Sequence, residues 1–163
     1  MERWTRRKFI RGTAQAAAGA AALGASCGAG ESGRAQGGVL EAGRQIIVPL
    51  DGRWLFRTDP DKRGEALGWH APAASKDGWD EVSVPSTWQV SERTSGYMGA
   101  AWYRREFEAP KAWRGRVIRV EFEAVFHTAE VFVNGRKAGG HAGKGYTAFA
   151  LDVTDLVRLG EGN

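Results

Sequence analysis

The sequence is poor in the residues that build disulfide frameworks and metal centres. It has one cysteine, Cys27, and three histidines, His70, His127 and His141. A single cysteine cannot form an internal disulfide, and the histidines lack the short spacing that is typical of zinc ligands. No apolar run reaches the ~18–20 residues that a helix needs to cross a bilayer. These absences exclude a disulfide scaffold and predict neither a metal site nor a membrane-spanning helix.

The formal net charge of +4 is confined to the first part of the chain. Of 23 basic and 19 acidic residues, five basic and one acidic lie in residues 1–27, which leaves 18 of each sign in the remainder. A nucleic-acid surface needs a basic patch, because phosphate contacts dominate that kind of affinity. The neutral remainder, with its charges interspersed, therefore argues against a nucleic-acid partner.

Residues 1–27 have the organisation of an export signal. Arg6, Arg7 and Lys8 precede an Ala- and Gly-rich stretch that ends in small residues. This order is typical of a signal peptide rather than of a structural helix. The Arg-Arg-x-Phe-Ile pattern resembles the twin-arginine motif, which implies transport of a folded protein by the twin-arginine export machinery. We therefore expect an exported protein, periplasmic or extracellular, whose leader is disordered or helical.

Cys27 directly follows small residues, as the lipidated cysteine of a lipoprotein does. Lipidation at Cys27 would anchor the protein to a membrane, whereas cleavage after Ala25 or Ala35 would release it. The sequence leaves both alternatives open. Residues 28–44 begin with a stretch rich in Gly and Ser, and this composition predicts a flexible linker.

From residue 45 onward, apolar residues alternate with polar ones instead of following a helical period. Ile118, Val120 and Phe122 share one face of a predicted strand, with charged residues between them. Asn134-Gly135 between two such runs predicts a hairpin, because both residues of its turn need positive φ. Short strands separated by turn residues favour an all-β sandwich. The predicted strands span 45–48, 53–57, 81–84, 102–108, 116–123, 128–133, 137–141 and 146–151.

Five segments in order resemble the amino-terminal, sugar-binding domain of family 2 glycoside hydrolases. This is the family of β-galactosidases, β-glucuronidases and β-mannosidases. The sequence has the runs W-x-x-V-x-V-P-x-x-W, from Trp79, and G-x-x-W-Y-R-R-x-F, from Gly99. The resemblance implies a jelly-roll-like, galactose-binding-domain-like β-sandwich over residues 45–163, with no cofactor and no metal. The matching segments span 50–56, 79–89, 96–107, 122–135 and 139–155.

The resemblance also implies what the chain lacks. Family members hydrolyse β-glycosides with two glutamates on a (β/α)₈ barrel, which follows the sandwich and an immunoglobulin-like domain. Such a barrel needs ~200 or more residues, and this sequence stops at Asn163. We therefore expect no catalytic residue here, a sandwich truncated at its C-terminal end, and contact with carbohydrate through the missing barrel. On this interpretation the chain is an inactive fragment of an exported hydrolase; the alternative is a stand-alone secreted carbohydrate-binding module.

Two groups of residues are candidates for contact with a sugar. The segment Gly96-Tyr97-Met98-Gly99-Ala100 resembles the loop that the family domain sends towards the substrate pocket. Trp69 and Trp113 are among the aromatic residues that are freest of strand signals, so their rings are candidates for stacking on a sugar face. A buried core position is the competing interpretation of each tryptophan.

Several charged residues have structural interpretations. Arg105 shares a face with Tyr103 and Phe107, and we expect it to pair with a carboxylate such as Asp152 or Glu130, although the sequence does not name the partner. Acidic residues in loops are more often turn and cap residues than catalytic acids. Two such clusters occur, one of Asp59 and Asp61 and one of Asp77, Asp80 and Glu81.

Overall fold

Antiparallel β-strands make up most of the regular structure in the described part of the chain. The computed structural model describes residues 10–15, 40–42 and 45–163. Two single 3-10 turns, Trp88–Val90 and Lys111–Trp113, lie between strands, and no helix in these residues could span a membrane. The strands are β1 (Ile10–Gln15), β2 (Leu40–Ala42), β3 (Gln45–Pro49), β4 (Gly52–Asp59), β5 (Asp80–Val84), β6 (Ala100–Arg104), β7 (Val117–Phe122), β8 (Ala129–Val133), β9 (Arg136–His141) and β10 (Phe149–Asp152).

The strands form two larger sheets and one hairpin. One sheet has five strands in the order β10-β7-β1-β3-β2, and the other has three in the order β5-β4-β6. The hairpin consists of β8 and β9. Residues from β3, β4, β7, β8 and β10 meet in a single apolar cluster, so the sheets pack as a β-sandwich. This arrangement confirms the all-β sandwich that the alternating pattern predicts.

The period-two pattern and the turn signal explain the best-defined strands. In β7, Ile118 and Val120 are 4% and 8% exposed, and Arg119 between them is exposed. The predicted turn joins β8 to β9, with φ of 51° at Asn134 and 82° at Gly135. Both residues thus have the positive φ that a two-residue hairpin turn requires.

The core lies between the sheets and is closed by residues outside the strands. Ala109 and Val153 are fully buried, although both lie in connecting segments. The Val153 amide donates to the Ile118 carbonyl over 2.9 Å, which ties the end of β10 to β7. The buried cluster comprises Leu50, Ala109, Trp113, Ile118, Val120, Val133 and Val153.

The backbone of Ile10–Gln15 forms a strand, whereas the sequence predicts a disordered or helical leader. β1 pairs with β3 on one side and with β7 on the other. Small or apolar residues alternate with polar ones along this segment, which suits a pleated strand. The two neighbouring strands also supply backbone hydrogen-bonding groups on both sides, and these favour the extended form.

A second short strand lies where the sequence predicts a linker. β2, at Leu40–Ala42, pairs with β3 and forms an edge of the five-stranded sheet. The other residues of the predicted export signal and linker, including Arg6, Arg7 and Cys27, lie outside the described residues.

Candidate functional site

A cleft of about 410 Å³ opens beside the three-stranded sheet. Three aromatic residues line it: Phe56, Trp88 and Tyr103. Phe56 is 3% exposed, and its ring centroid lies 5.0 Å from that of Tyr103 and 6.0 Å from that of Trp88. Aromatic surface with polar groups around it is typical of pockets that bind small molecules. The polar residues that line this cleft are Asp80, Glu81, Ser83, Ser86, Thr87, Ser91, Arg93 and Thr94.

The predicted substrate-proximal loop, residues 96–100, adjoins this cleft through Trp88. The Trp88 indole N–H donates to the Tyr97 carbonyl over 3.1 Å, and the Tyr97 hydroxyl donates to the Ala100 carbonyl over 2.5 Å. A β-carbon at Gly99 would lie 2.5 Å from the Tyr97 hydroxyl oxygen, so this closure requires glycine. Met98 is 91% exposed. The loop is therefore fixed on both sides of Met98, whose side chain projects into solvent.

The cleft carries charges of both signs at its rim and an uncharged phenol inside. Arg93 Nη1 lies 3.1 Å from Asp80 Oδ1, and both side chains are largely exposed, so the pair adds little to stability. Burial raises the pKa of Tyr103 to about 12, so this phenol is neutral at physiological pH. The cleft thus offers the half-buried rings of Trp88 and Tyr103 over a buried Phe56, while ionic groups remain at its edge.

A second aromatic cluster includes Trp69 and lies apart from the cleft-lining residues. The Arg57 guanidinium carbon lies 4.1 Å from the centroid of the Trp69 ring. Trp79 and Trp102 approach the same indole edge-on, with centroid distances of 5.9 and 6.2 Å. One face of Trp69 is therefore already covered by a cation, and stacking of this ring on a sugar stays a prediction.

Asp59 is a buried carboxylate, 4% exposed, that organises the turn after β4. Its two oxygens accept hydrogen bonds from the Arg63 amide at 2.8 Å, the Gly64 amide at 2.9 Å and the Trp102 indole N–H at 2.9 Å. Burial by itself would raise the pKa of Asp59. The three hydrogen bonds, together with nearby Arg57, outweigh burial and lower that pKa below its ordinary value. Asp59 is thus an ionised structural anchor between the turn and β6.

Trp113 belongs to the core, which corrects its assignment as a sugar-stacking residue. Its side chain is 7% exposed and packs in the buried cluster described above. A ring buried to this extent offers no face to a sugar. The cause is the 3-10 turn after Pro110, in which the Trp113 amide donates to the Pro110 carbonyl over 3.0 Å. This turn directs the third residue inward although Lys111, Ala112 and Arg114 around it are exposed.

Arg105 pairs with neither Asp152 nor Glu130, the two carboxylates named as examples of its partner. Its Nη1 donates instead to the Arg53 carbonyl over 2.7 Å. Glu130 bonds to Lys137, and Asp152 accepts from the hydroxyl and the amide of Thr154. The reason is topological, because Arg105 directly follows β6, next to β4, whereas Asp152 lies in the other sheet.

The acidic clusters are engaged in turns and ion pairs. Asp77 accepts a hydrogen bond from the Ser75 hydroxyl over 2.8 Å, and Glu81 lies 3.3 Å from Arg53. Asp80 and Asp59 have the partners given above. In the described part of the chain, no three histidine, cysteine or acidic residues are grouped so that they could hold a metal ion. Asp59 and Asp77 thus take part in turns, and Asp80 and Glu81 lie in exposed ion pairs.

Sequence reasoning missed the cleft itself. Phe56, Trp88 and Tyr103 come from β4, a 3-10 turn and β6, and only the pairing of β4 with β6 brings them together. The available signal was the alternation in β4, which places Trp54 and Phe56 on one face. Combined with the turn signals that follow Pro85, this alternation indicates an aromatic surface near a loop.

The sequence of residues 91–163 matches the family described as "Glycosyl hydrolases family 2, sugar binding domain". A beta-glucuronidase of Paenibacillus borealis is 30% identical over 122 residues, which are 72% of this chain and 20% of that protein. A beta-galactosidase of Bacteroides ovatus is 32% identical over 111 residues, which are 61% of this chain and 13% of that protein.

The fold agrees with the sequence matches. The solved structure of a Lactobacillus rhamnosus beta-glucuronidase superposes with a TM-score of 0.63 and 33% identity, and the match covers 70% of this chain and 19% of that one. The chain thus spans at most about a fifth of these relatives. The matched family, the relatives and the shared sandwich agree with one another, and residues 91–163 therefore belong to a sugar-binding domain of family 2 glycosyl hydrolases.

Proposed function

We propose that this domain is the sugar-binding scaffold of an exported hydrolase that cleaves β-linked glycosides. The relatives named above are a beta-glucuronidase and a beta-galactosidase, which makes a β-glucuronide or a β-galactoside the proposed substrate class. Since the chain spans a small part of each relative, the hydrolysis itself is assigned to domains beyond those described. Retaining glycosidases use two carboxyl groups ~5 Å apart, and we place these on a barrel domain.

The single observation that carries this proposal is the loop of residues 96–100 beside the aromatic cleft. The loop is fixed by the hydrogen bonds of Trp88 and Tyr97, and Met98 is 91% exposed at its tip. A rigid loop with an exposed apolar tip is suited to contact a neighbouring domain, or the substrate that the neighbouring domain holds. The domain would then shape the edge of the pocket without supplying a reacting group.

The coding sequence on the 3′ side of the Asn163 codon tests this function. We expect an in-frame continuation that encodes an immunoglobulin-like domain and a barrel with two glutamates. We also expect the purified chain to release no nitrophenol from nitrophenyl β-glucuronide or β-galactoside. A stop codon, or turnover by the chain alone, would contradict the scaffold role.

The complete enzyme provides a sharper test of the loop. Met98→Ala is expected to raise KM several-fold while the domain stays folded, because it shortens the exposed tip. Leu67→Ala is the matched control, since Leu67 is also an exposed apolar residue, at 55%, but lies in another connection. Equal kinetics for the two variants would count against substrate proximity of the loop.

The cleft favours a second candidate, a stand-alone secreted carbohydrate-binding module. The Trp88 and Tyr103 rings, which are half-buried, offer apolar surface to a pyranose, and the rim of the cleft offers hydroxyl and charged groups. This candidate becomes the leading one if a stop codon follows Asn163. Quenching of tryptophan fluorescence by methyl β-glucuronide, lost in Trp88→Phe, would then support it, and an unchanged spectrum would oppose it.

We propose further that the chain is exported by the twin-arginine route, on the evidence of its Arg6-Arg7 pair. The full chain is expected in the periplasm or the medium, and the double variant Arg6→Lys, Arg7→Lys is expected to remain in the cytoplasm. Cys27→Ala distinguishes a lipid-anchored protein from a released one, because the substitution abolishes membrane association only if Cys27 is lipidated. Equal export of the double variant and the parent chain would refute the route.

A further inference from the structure

Phe126 and Tyr146 form an exposed aromatic pair. They are 60% and 67% exposed, and their ring centroids lie 5.9 Å apart with the ring planes inclined by 56°. Five large hydrophobic residues are exposed in the described part of the chain, and the two aromatic ones among them are this pair. Single exposed apolar residues are normal on a protein surface, whereas grouped ones indicate a binding site.

Contacts between two connections hold the aromatic pair in place. Phe126 lies between β7 and β8, and Tyr146 lies between β9 and β10. The Phe126 ring lies directly over Gly145, which is buried, and a β-carbon at that glycine would collide with the ring. Next to Phe126, the Val125 carbonyl accepts a hydrogen bond from His141 Nε2 over 3.2 Å. The two connections are thus fixed against each other, and the pair is formed without a ligand.

Polar side chains surround the two rings. His127 and Thr128 follow Phe126 and are exposed, and the His127 ring centroid lies 5.6 Å from that of Phe126. Lys144 and Thr147, on the other connection, are exposed as well. All four side chains can form hydrogen bonds with hydroxyl groups. This arrangement matches a pyranose, because its C–H groups lie on the faces of the ring and its hydroxyl groups lie at the edge.

The aromatic pair lies at the same end of the sandwich as the loop of residues 96–100. The backbone beyond β6 and the side chain of the turn after β8 both form hydrogen bonds with Asn163. Trp102 of β6 also stacks on Phe132 of β8, with ring centroids 5.7 Å apart. β6 and β8 therefore run in the same direction, so the connections that precede them lie at one end. β9 returns antiparallel to β8, which brings the connection after β9 to that end too.

We propose that Phe126 and Tyr146 form a second sugar-binding site, separate from the aromatic cleft, which takes the pyranose ring of a β-glycoside. The sugar ring packs on an aromatic face, and its hydroxyl groups bind to the polar side chains around the pair. The choice of a β-glycoside rests on the proposed function, which assigns the substrate to this end of the sandwich. The binding itself needs no further domain, so its test is independent of the test for hydrolysis.

NMR titration of the isotope-labelled full chain with methyl β-galactopyranoside tests the proposal. We expect amide shifts at residues 125–128 and 144–147. Galactitol is the matched control ligand, because it carries hydroxyl groups on an open chain without a rigid ring face, and it should cause no such shifts. Trp88→Phe should leave the shifts unchanged, since Trp88 belongs to the cleft. Shifts confined to the residues that line the cleft, or no shifts at all, would overturn the proposal.

Three chain variants measure the contribution of the rings. Phe126→Ala is expected to weaken binding of methyl β-galactopyranoside about three- to tenfold, because a stacking face is lost. Gly145→Ala should weaken binding without removing a ring, since the new β-carbon displaces the Phe126 side chain. Leu67→Ala is the matched control, because Leu67 is an exposed apolar residue, at 55%, in another connection.

Two results would contradict the site. One is equal affinity of Phe126→Ala and Leu67→Ala for the sugar. The other is a dimer of the parent chain that Phe126→Ala dissociates while sugar binding persists, because the aromatic pair would then bind a second copy of this chain. Sedimentation velocity of the parent and of Phe126→Ala provides that measurement.

Discussion

Replacing Asp59 by asparagine is expected to lower the free energy of unfolding by about 3 kcal/mol. The carboxylate accepts three hydrogen bonds, from the Arg63 and Gly64 amides on one side and from the Trp102 indole on the other. An asparagine has one acceptor oxygen, so its amino group must face a buried N–H donor. Urea unfolding followed by circular dichroism measures the change, which is a large part of a typical domain stability of ~5–15 kcal/mol.

Asp61→Asn is the matched control, because Asp61 is exposed in the same turn. It should change the free energy of unfolding by less than about 0.5 kcal/mol.

The effect of Asp59→Asn should also depend on pH. In the folded protein the pKa of Asp59 lies below its ordinary value of 3.8. The charged carboxylate therefore makes its full contribution to the free energy of unfolding above pH 3.8, and this contribution is lost as the pH falls through the folded-state pKa. The difference in the free energy of unfolding between the parent chain and Asp59→Asn should therefore become smaller below about pH 4. A constant difference down to about pH 2 would mean that the charge of Asp59 does not stabilise the turn.

Trp113→Ala is expected to cost about 3–5 kcal/mol, because it empties a space between the two sheets. The side chain is 7% exposed and packs with Leu50, Ile118 and Val153 in one cluster. Thermal unfolding of the variant should occur at least several degrees below that of the parent chain. A sugar-stacking residue would behave in the opposite way, since its loss would weaken ligand binding and leave stability almost unchanged.

Two controls separate cavity formation from other effects. Met98→Ala removes an apolar side chain that is 91% exposed and should alter stability by less than about 0.5 kcal/mol. Trp113→Phe retains most of the buried ring and should cost less than Trp113→Ala. Equal unfolding temperatures for Trp113→Ala and Met98→Ala would show that Trp113 is not part of the core.

Local patterns were sufficient to predict most of the sandwich. Alternation placed Ile118 and Val120 on the inward face of β7, and the Asn134-Gly135 pair located the hairpin. Both signals depend only on neighbouring residues, since a strand reverses its face at each step and a tight turn needs particular φ values. Ile10–Gln15 alternates in the same way but has Gly12 and Ala14 in place of large apolar residues, so its signal is too weak to predict a strand until β3 and β7 lie beside it.

The candidate site was less predictable because distant pairings create it. Phe56, Trp88 and Tyr103 meet only after β6 pairs with β4, and no local pattern encodes that approach. Trp113 was misjudged because it lies outside any alternating pattern, and a single 3-10 turn decides which way its side chain points. The loop of residues 96–100 was found through resemblance, and the structure adds the hydrogen bonds that fix it.

The strand order also determines when the five-stranded sheet can form during synthesis. β3 ends at Pro49, but β1 has only one of its two neighbouring strands until β7, which begins at Val117, has been made. At ~5–20 residues per second, a ribosome needs roughly 3–13 seconds to translate the intervening segment. During that interval the apolar residues of β3 are exposed on the nascent chain, where they are open to chaperones or to aggregation. Slow codons placed before β7 should therefore reduce the soluble yield, while the same codons placed after β10 should not.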